Sequence, residues 1–149
     1  MPYQPGQHAE NMFFIPTGKI CRRPPVFCAA GSTVREAAKI MQDRNINCVV
    51  VSDEDRPSGI FTVRDLNRVT ASCSGNPADL LLRDCMTPRL ITLREDAYLF
   101  DAISLMSRHN FHRVGVVNDN GELVGVLTDT DLLSLQTRTP LYMLSEIER

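Results

Sequence analysis

Residues 111–133 read FHRVGVVNDNGELVGVLTDTDLL, two apolar strand-like runs joined by a turn and followed at once by a helix start. The stretch has an echo upstream. Residues 46–66 read INCVVVSDEDRPSGIFTVRDL, so Val114 falls on Val49, Gly125 on Gly59, Thr128 on Thr62, Asp131 on Asp65 and Leu132 on Leu66. A supersecondary unit that occurs twice predicts a fold of two similar halves, with function expected in the cleft where they face each other.

Ahead of each copy the apolar spacing changes. Val34, Ala37, Ala38 and Met41 stand at i, i+3, i+4 and i+7, as do Leu99, Ala102, Ile103 and Met106, which is the buried stripe of an amphipathic helix. Ser32 or Thr33 can cap the first helix, with Glu36 completing a capping box from Thr33, and Asp96 is the expected cap of the second. The runs Cys48–Ser52 and Val114–Asn118 are unbroken enough to suit strands buried on both faces. Gly59–Thr62 and Gly125–Thr128 then form a second short strand in each half, with a helix after it.

Proline-marked extended segments lead into the halves: Arg22, Arg23, Pro24 and Pro25 before the first, Met86, Thr87, Pro88 and Arg89 before the second. The chain therefore divides into an extended leader over 1–18, a first repeat over 19–70, a linker over 71–83, a second repeat over 84–135 and a helical tail over 136–149. The leader carries a small apolar patch, Met12 to Ile15, that could dock as one short strand. Ser72, Cys73, Ser74, Gly75, Asn76 and Pro77 make the linker the most loop-like interior stretch.

Composition excludes several classes of function. A formal charge of −2 over 149 residues, with both signs interspersed, offers no basic stripe for a nucleic-acid backbone. The apolar runs are too short to span a bilayer, and none forms a signal-peptide core. Five cysteines without a C-x-x-C pair or a nearby histidine cluster point to reduced, mostly buried thiols in a cytoplasmic protein and to no metal site. No serine or cysteine carries a nucleophile signature with a base partner, so catalysis is not expected.

The doubled heptapeptide, Gly59-Ile-Phe-Thr62-Val-Arg-Asp65 and Gly125-Val-Leu-Thr128-Asp-Thr-Asp131, at the end of the same helix and strand order, resembles the cystathionine β-synthase (CBS) domain family. The resemblance covers about residues 19–134 and is to a tandem pair, a Bateman module. It implies an α/β fold of two pseudo-symmetric CBS repeats packed through small sheets, and a signal-transduction role without catalysis. It also implies an adenosine-containing regulatory ligand (AMP, ADP, ATP or S-adenosylmethionine) in the clefts between repeats, and association of two chains into a homodimer. Leu66, Val69, Leu132, Leu133 and Leu135 offer apolar surface for such a contact. The lead-in Arg22–Val26 and the ending Leu132–Tyr142 further resemble CBS pairs of bacterial proteins in which a cyclic-nucleotide-binding domain precedes the pair and a nucleotidyltransferase-like domain follows it. That likeness makes flanking regulatory or effector domains of a longer protein an expected partner.

By the same resemblance, Asp65 and Asp131 accept hydrogen bonds from a ribose diol, with Thr62 and Thr128 near ribose or phosphate. A carboxylate has two acceptor oxygens that match adjacent hydroxyls. The same residues also read as capping boxes, Thr62-x-x-Asp65 and Thr128-x-x-Asp131, and the two roles are compatible. His112 and Arg113 have no counterpart in the first repeat, where Asn47 and Cys48 stand. They resemble the phosphate-contacting pair of nucleotide-binding CBS domains such as those of the AMP-activated kinase gamma subunit, and the planar guanidinium fork suits a phosphate. The alternative is a solvated basic pair at a helix end. His109 is expected to cap the preceding helix. The side chains of Arg22, Arg23 and Arg89 read as solvated, and residues 53–56 as a turn without chemistry. If the clefts are empty, the same fold serves as a dimerisation scaffold.

Overall fold

The computed structural model describes residues 14–132, which form two compact units, one made of residues up to Pro24 together with those from Ile91 onward, the other of Pro25–Leu90. The class is α/β, with one small sheet in each unit.

The Pro25–Leu90 unit holds a four-stranded sheet in the order β1 (Phe27–Ala29), β2 (Cys48–Asp53), β3 (Arg56–Thr62) and β4 (Thr87–Pro88). The first pair is parallel and the other two are antiparallel. The expected helix spans Val34–Arg44, and the capping box is present: Glu36 N–H donates to Thr33 Oγ1 at 3.2 Å, and Thr33 N–H donates to Glu36 Oε2 at 2.9 Å. Val34, Ala37 and Met41 are its buried stripe. They pack on Val49, Val51 and Phe61, and a second helix, Val63–Ser72, adds Val69. Burial of all three valines 49–51 confirms a strand covered on both faces.

The other unit repeats this order with a three-stranded sheet, β5 (Thr92–Arg94), β6 (Arg113–Val117) and β7 (Leu123–Thr128). The β5–β6 pair is parallel and the β6–β7 pair antiparallel. The Leu99–His109 helix buries Leu99, Ala102 and Met106 against Val114, Val116 and Leu127. A helix begins directly after Thr128 and runs to the last described residue. Both units place a β-bulge at the same point, after Val51 and after Val116, and both first helices end on an asparagine in the left-handed region, Asn45 and Asn110.

Several details differ from the sequence reading. The short parallel strands β1 and β5 carry no legible signal, because three residues are too few to show a period. The N-cap of the Leu99–His109 helix is Tyr98, closed from the N3 position by Asp101, whose carboxylate accepts from Tyr98 N–H at 2.9 Å; Asp96 instead pairs with Arg94 at 3.2 Å. Asp96 lies two residues too early in the chain for the helix that actually forms, whose N-cap is Tyr98. His109 stacks on Phe111, with ring centroids 5.6 Å apart, rather than serving as the cap. Val69 is 5% exposed and belongs to the core, so it offers no docking surface; Leu133 and Leu135 lie outside the described residues. The last part of the linker is anchored: Leu82 is fully buried, and Val34 N–H donates to Leu80 O.

The two lead-in segments take crossed positions. Residues 14–24 belong to the unit of the second repeat, where Thr17 N–H donates to Ala97 O, Leu99 N–H to Ile15 O, and Arg22 exchanges both backbone bonds with Val126. Residues 84–90 belong to the unit of the first repeat, where Thr87 and Pro88 pair with Ile60 and Gly59. In each case the added segment covers an edge that would otherwise leave unpaired backbone groups on β7 or β3.

Candidate functional site

A glycine governs the approach of each lead-in segment. A Cβ added at Gly59 would stand 2.5 Å from Thr87 O, and one added at Gly125 would stand 2.6 Å from Cys21 Sγ and 2.7 Å from Arg22 O. Only a residue without a side chain lets the backbone come this near. The contacts also establish which residues correspond: Thr87 in one unit holds the position that Arg22 holds in the other, and Met86 that of Cys21.

Three residues beyond each glycine the strand ends at a threonine that caps the next helix. Asp65 N–H donates to Thr62 Oγ1 at 3.1 Å, and Thr62 N–H returns a bond to Asp65 Oδ2 at 3.0 Å. In the second copy Asp131 N–H donates to Thr128 Oγ1 at 3.2 Å and Thr128 N–H to Asp131 Oδ2 at 2.9 Å. Both capping boxes are therefore formed, and both carboxylates are nearly withdrawn from solvent, their side chains 9% and 10% exposed.

The second oxygen of each carboxylate faces the lead-in segment. Asp65 Oδ1 accepts from Thr87 Oγ1 at 3.1 Å and from Arg68 Nη2 at 3.3 Å, while the Thr62 hydroxyl donates to Oδ2 at 3.1 Å. Arg68 also donates to Cys85 O at 2.8 Å, which ties the helix to the chain before β4. Asp131 Oδ1 accepts from Arg22 Nε at 2.7 Å. Arg22 thus departs from the sequence reading, in which its side chain is solvated. So does Arg23, which donates to Gly18 O at 2.9 Å and to Glu95 Oε2 at 3.2 Å. No local signal marks either contact, since the partners lie 109 and 72 residues away in sequence. Arg89 is exposed, with its backbone in the left-handed region.

His112 and Arg113 enter β6 beside the second capping box. Arg113 is the cross-strand partner of Thr128, as Cys48 is of Thr62. The His112 ring donates through Nδ1 to Asp129 Oδ2 at 3.0 Å, and Asp129 N–H donates to His112 O at 2.9 Å, which fixes the imidazole and leaves Nε2 for another partner. Arg113 Nε is buried and has no hydrogen-bond partner among the described residues. A buried donor left unsatisfied is costly, and a guanidinium strongly prefers an anion. The structure therefore brings Thr128, Asp131, His112 and Arg113 to one end of the β6–β7 pair, joined by Arg22 and Asp129, and brings Thr62 and Asp65 together with Thr87 and Arg68. Among the described residues no group of histidine, cysteine, aspartate or glutamate side chains is placed to hold a metal ion, and no helix is long and apolar enough to cross a membrane.

The sequence profile of the CBS domain matches residues 18–72 and 82–138. The chain belongs to the CBS domain family. An uncharacterized protein of Methanopyrus kandleri, MK0525, is 33% identical over 135 residues, covering 90% of this chain and 67% of its own length. The CBS domain pair of protein MJ0100, in complex with 5′-methylthioadenosine and S-adenosyl-L-methionine, superposes with a TM-score of 0.73 at 30% identity, covering 83% of this chain and 97% of that one. CBS domain protein PAE2072 from Pyrobaculum aerophilum, complexed with AMP, gives 0.71 at 32% identity, covering 83% and 99%. This chain is accordingly a tandem CBS pair, a Bateman module, and its two units are the CBS repeats with their lead-in segments crossed.

Proposed function

We propose that this CBS pair is a non-catalytic regulatory module that binds an adenosine-containing ligand and passes its occupancy to a partner or to flanking domains. The observation that carries the reading is the buried Nε of Arg113, which has no hydrogen-bond partner among the described residues, on the strand whose partner Thr128 caps the helix of Asp131. A phosphate would satisfy the guanidinium, and the carboxylate supplies an acceptor for ribose hydroxyls. His112, held by Asp129, has Nε2 to offer the same anion. The relatives complexed with AMP and with S-adenosyl-L-methionine support this class of ligand. Binding at one arrangement of the module in preference to another would shift the population between them, which is all that regulation requires.

At the first repeat, Asp65 and Thr62 are proposed for the ribose contact, without a cationic pair, so the two positions are unequal. A mass spectrum of small molecules released from freshly purified, denatured protein, followed by calorimetry with AMP, ATP, adenosine and S-adenosylmethionine, tests the reading. A bound or titratable adenine compound is expected; failure of all four to bind would overturn it.

A second reading, a dimerisation scaffold with no ligand, is favoured by one specific observation. Asp65 already accepts from Thr62 N–H, the Thr62 hydroxyl, Arg68 and Thr87, a set that satisfies a carboxylate without any ligand. The same calorimetry separates the two.

A further inference from the structure

We propose that Arg22 selects the ligand charge at Asp131, so that this position favours phosphorylated over unphosphorylated adenosine compounds. The proposal rests on the reading of Asp131 as a ribose acceptor. The backbone of Arg22 is fixed on β7: its N–H donates to Val126 O at 2.9 Å, and Val126 N–H donates to Arg22 O at 3.2 Å. Gly125 permits that approach, since any Cβ there would collide with Cys21 and Arg22. From this fixed point the side chain reaches the oxygen of Asp131 that is free of the capping box, Oδ1, at 2.7 Å. Thr87 occupies the same position in the other unit and offers Asp65 a hydroxyl at 3.1 Å. The lead-in position thus carries a charged donor in one repeat and a neutral one in the other, where the charged partner of Asp65, Arg68, comes from its own helix at 3.3 Å.

The consequence follows from what each neighbour loses when a diol arrives. Thr87 is neutral and can turn to water at little cost. Arg22 gives up its counter-charge, because ribose hydroxyls bring none. A bare nucleoside must therefore compete with the guanidinium for Asp131. A nucleotide brings a phosphate that replaces the carboxylate as the partner of Arg22, and a bidentate guanidinium–phosphate contact is at least as favourable as the bond given up. The Arg22 side chain is 54% exposed, so its bond to Asp131 lies in the range of surface ion pairs and can open.

The test is calorimetry of adenosine and AMP on wild type, Arg22→Gln and Arg22→Lys, read at the site that Asp131→Asn abolishes. In Arg22→Gln, adenosine should tighten by about twofold to fivefold, the equivalent of an exposed ion pair. AMP should weaken by a similar or larger factor, so that the preference for AMP falls about tenfold. Arg22→Lys should keep most of the preference, because it keeps the charge. Equal weakening of both compounds in Arg22→Gln would mark Arg22 as a structural brace and overturn the proposal, as would an unchanged ratio. The salt dependence of wild type gives an independent reading should the variant fail to fold. Added salt should strengthen adenosine binding while weakening AMP, and parallel weakening would contradict the selector. Wild type that binds neither compound would instead remove the ribose role of Asp131 and the selector with it.

Discussion

Asp65 and Asp131 occupy identical places in the repeat yet differ in how much of the fold depends on them. Asp65 accepts hydrogen bonds from three residues, Thr62, Arg68 and Thr87, and through Thr87 and Arg68 it holds the chain before and within β4 to the Val63–Ser72 helix. Asp131 accepts from Thr128 and Arg22. Loss of the cap alone costs about 1 kcal/mol, and the bonds from the exposed side chains of Thr87 and Arg68 add a smaller amount, because water can replace the lost acceptor. Thermal unfolding of Asp65→Asn should therefore show a larger drop in midpoint than Asp131→Asn, and equal drops would contradict the bonding described. Arg113→Ala probes binding rather than folding, since its buried Nε is paired with nothing among the described residues. A charge-assisted bond contributes roughly 1.5–3 kcal/mol, so AMP should weaken about tenfold or more while adenosine stays nearly unchanged. Equal losses for both compounds would rule out the phosphate role of Arg113.

At the scale of elements, the repeat is a helix, two strands and a helix whose sheet is completed by a segment from elsewhere in the chain. Gly59 and Gly125 make that completion possible. In Gly59→Ala the new methyl meets the carbonyl of Thr87, and in Gly125→Ala it meets that of Arg22, so backbone must move in both. Overpacking of this kind typically costs about 1–3 kcal/mol. Both variants should melt at lower temperature, and each should loosen its own aspartate, because Thr87 and Arg22 would be carried away from Asp65 and Asp131. Hydrogen exchange checks this directly: faster exchange is expected at Arg22 and Val126 in Gly125→Ala, and protection as in wild type at these amides would show that the lead-in segment does not depend on the glycine.

At the scale of the whole molecule, two consequences concern stability and assembly. Cys28 and Cys85 lie in the core of the Pro25–Leu90 unit, and burial raises both thiols above their ordinary value of 9.0. The fold thus prefers the neutral thiol. The stability that depends on it is complete below the ordinary thiol value and is lost as pH rises through the raised one. The melting temperature should fall as pH is taken above about 9, and the fall should be shallower in a Cys28→Ala, Cys85→Ala double variant; parallel curves would show that the thiols are not responsible. For assembly, we propose a homodimer, to which Leu66 and Leu132 can contribute only the part of their surface that the two cores leave uncovered. Light scattering at high micromolar concentration should give twice the chain mass, and a strict monomer would end that proposal.

The sequence by itself determined the main helices, the paired strands and their duplication, though not the three-residue strands β1 and β5. The spacing of Val34, Ala37 and Met41 against Leu99, Ala102 and Met106 set the helix phases, and Thr62-x-x-Asp65 and Thr128-x-x-Asp131 set the caps. These features are local, since a helix face and a cap depend on residues three or four apart. Only the tertiary structure decided which lead-in segment completes which sheet, and hence that Arg22 stands at Asp131 and Thr87 at Asp65. Those pairings join residues 109 and 22 positions apart. Along the chain both lead-in segments look alike, as proline-bearing extended stretches. Their destinations follow from which exposed strand edge each can reach once the repeats have folded, a choice made by chain topology and backbone hydrogen bonding that no local period records.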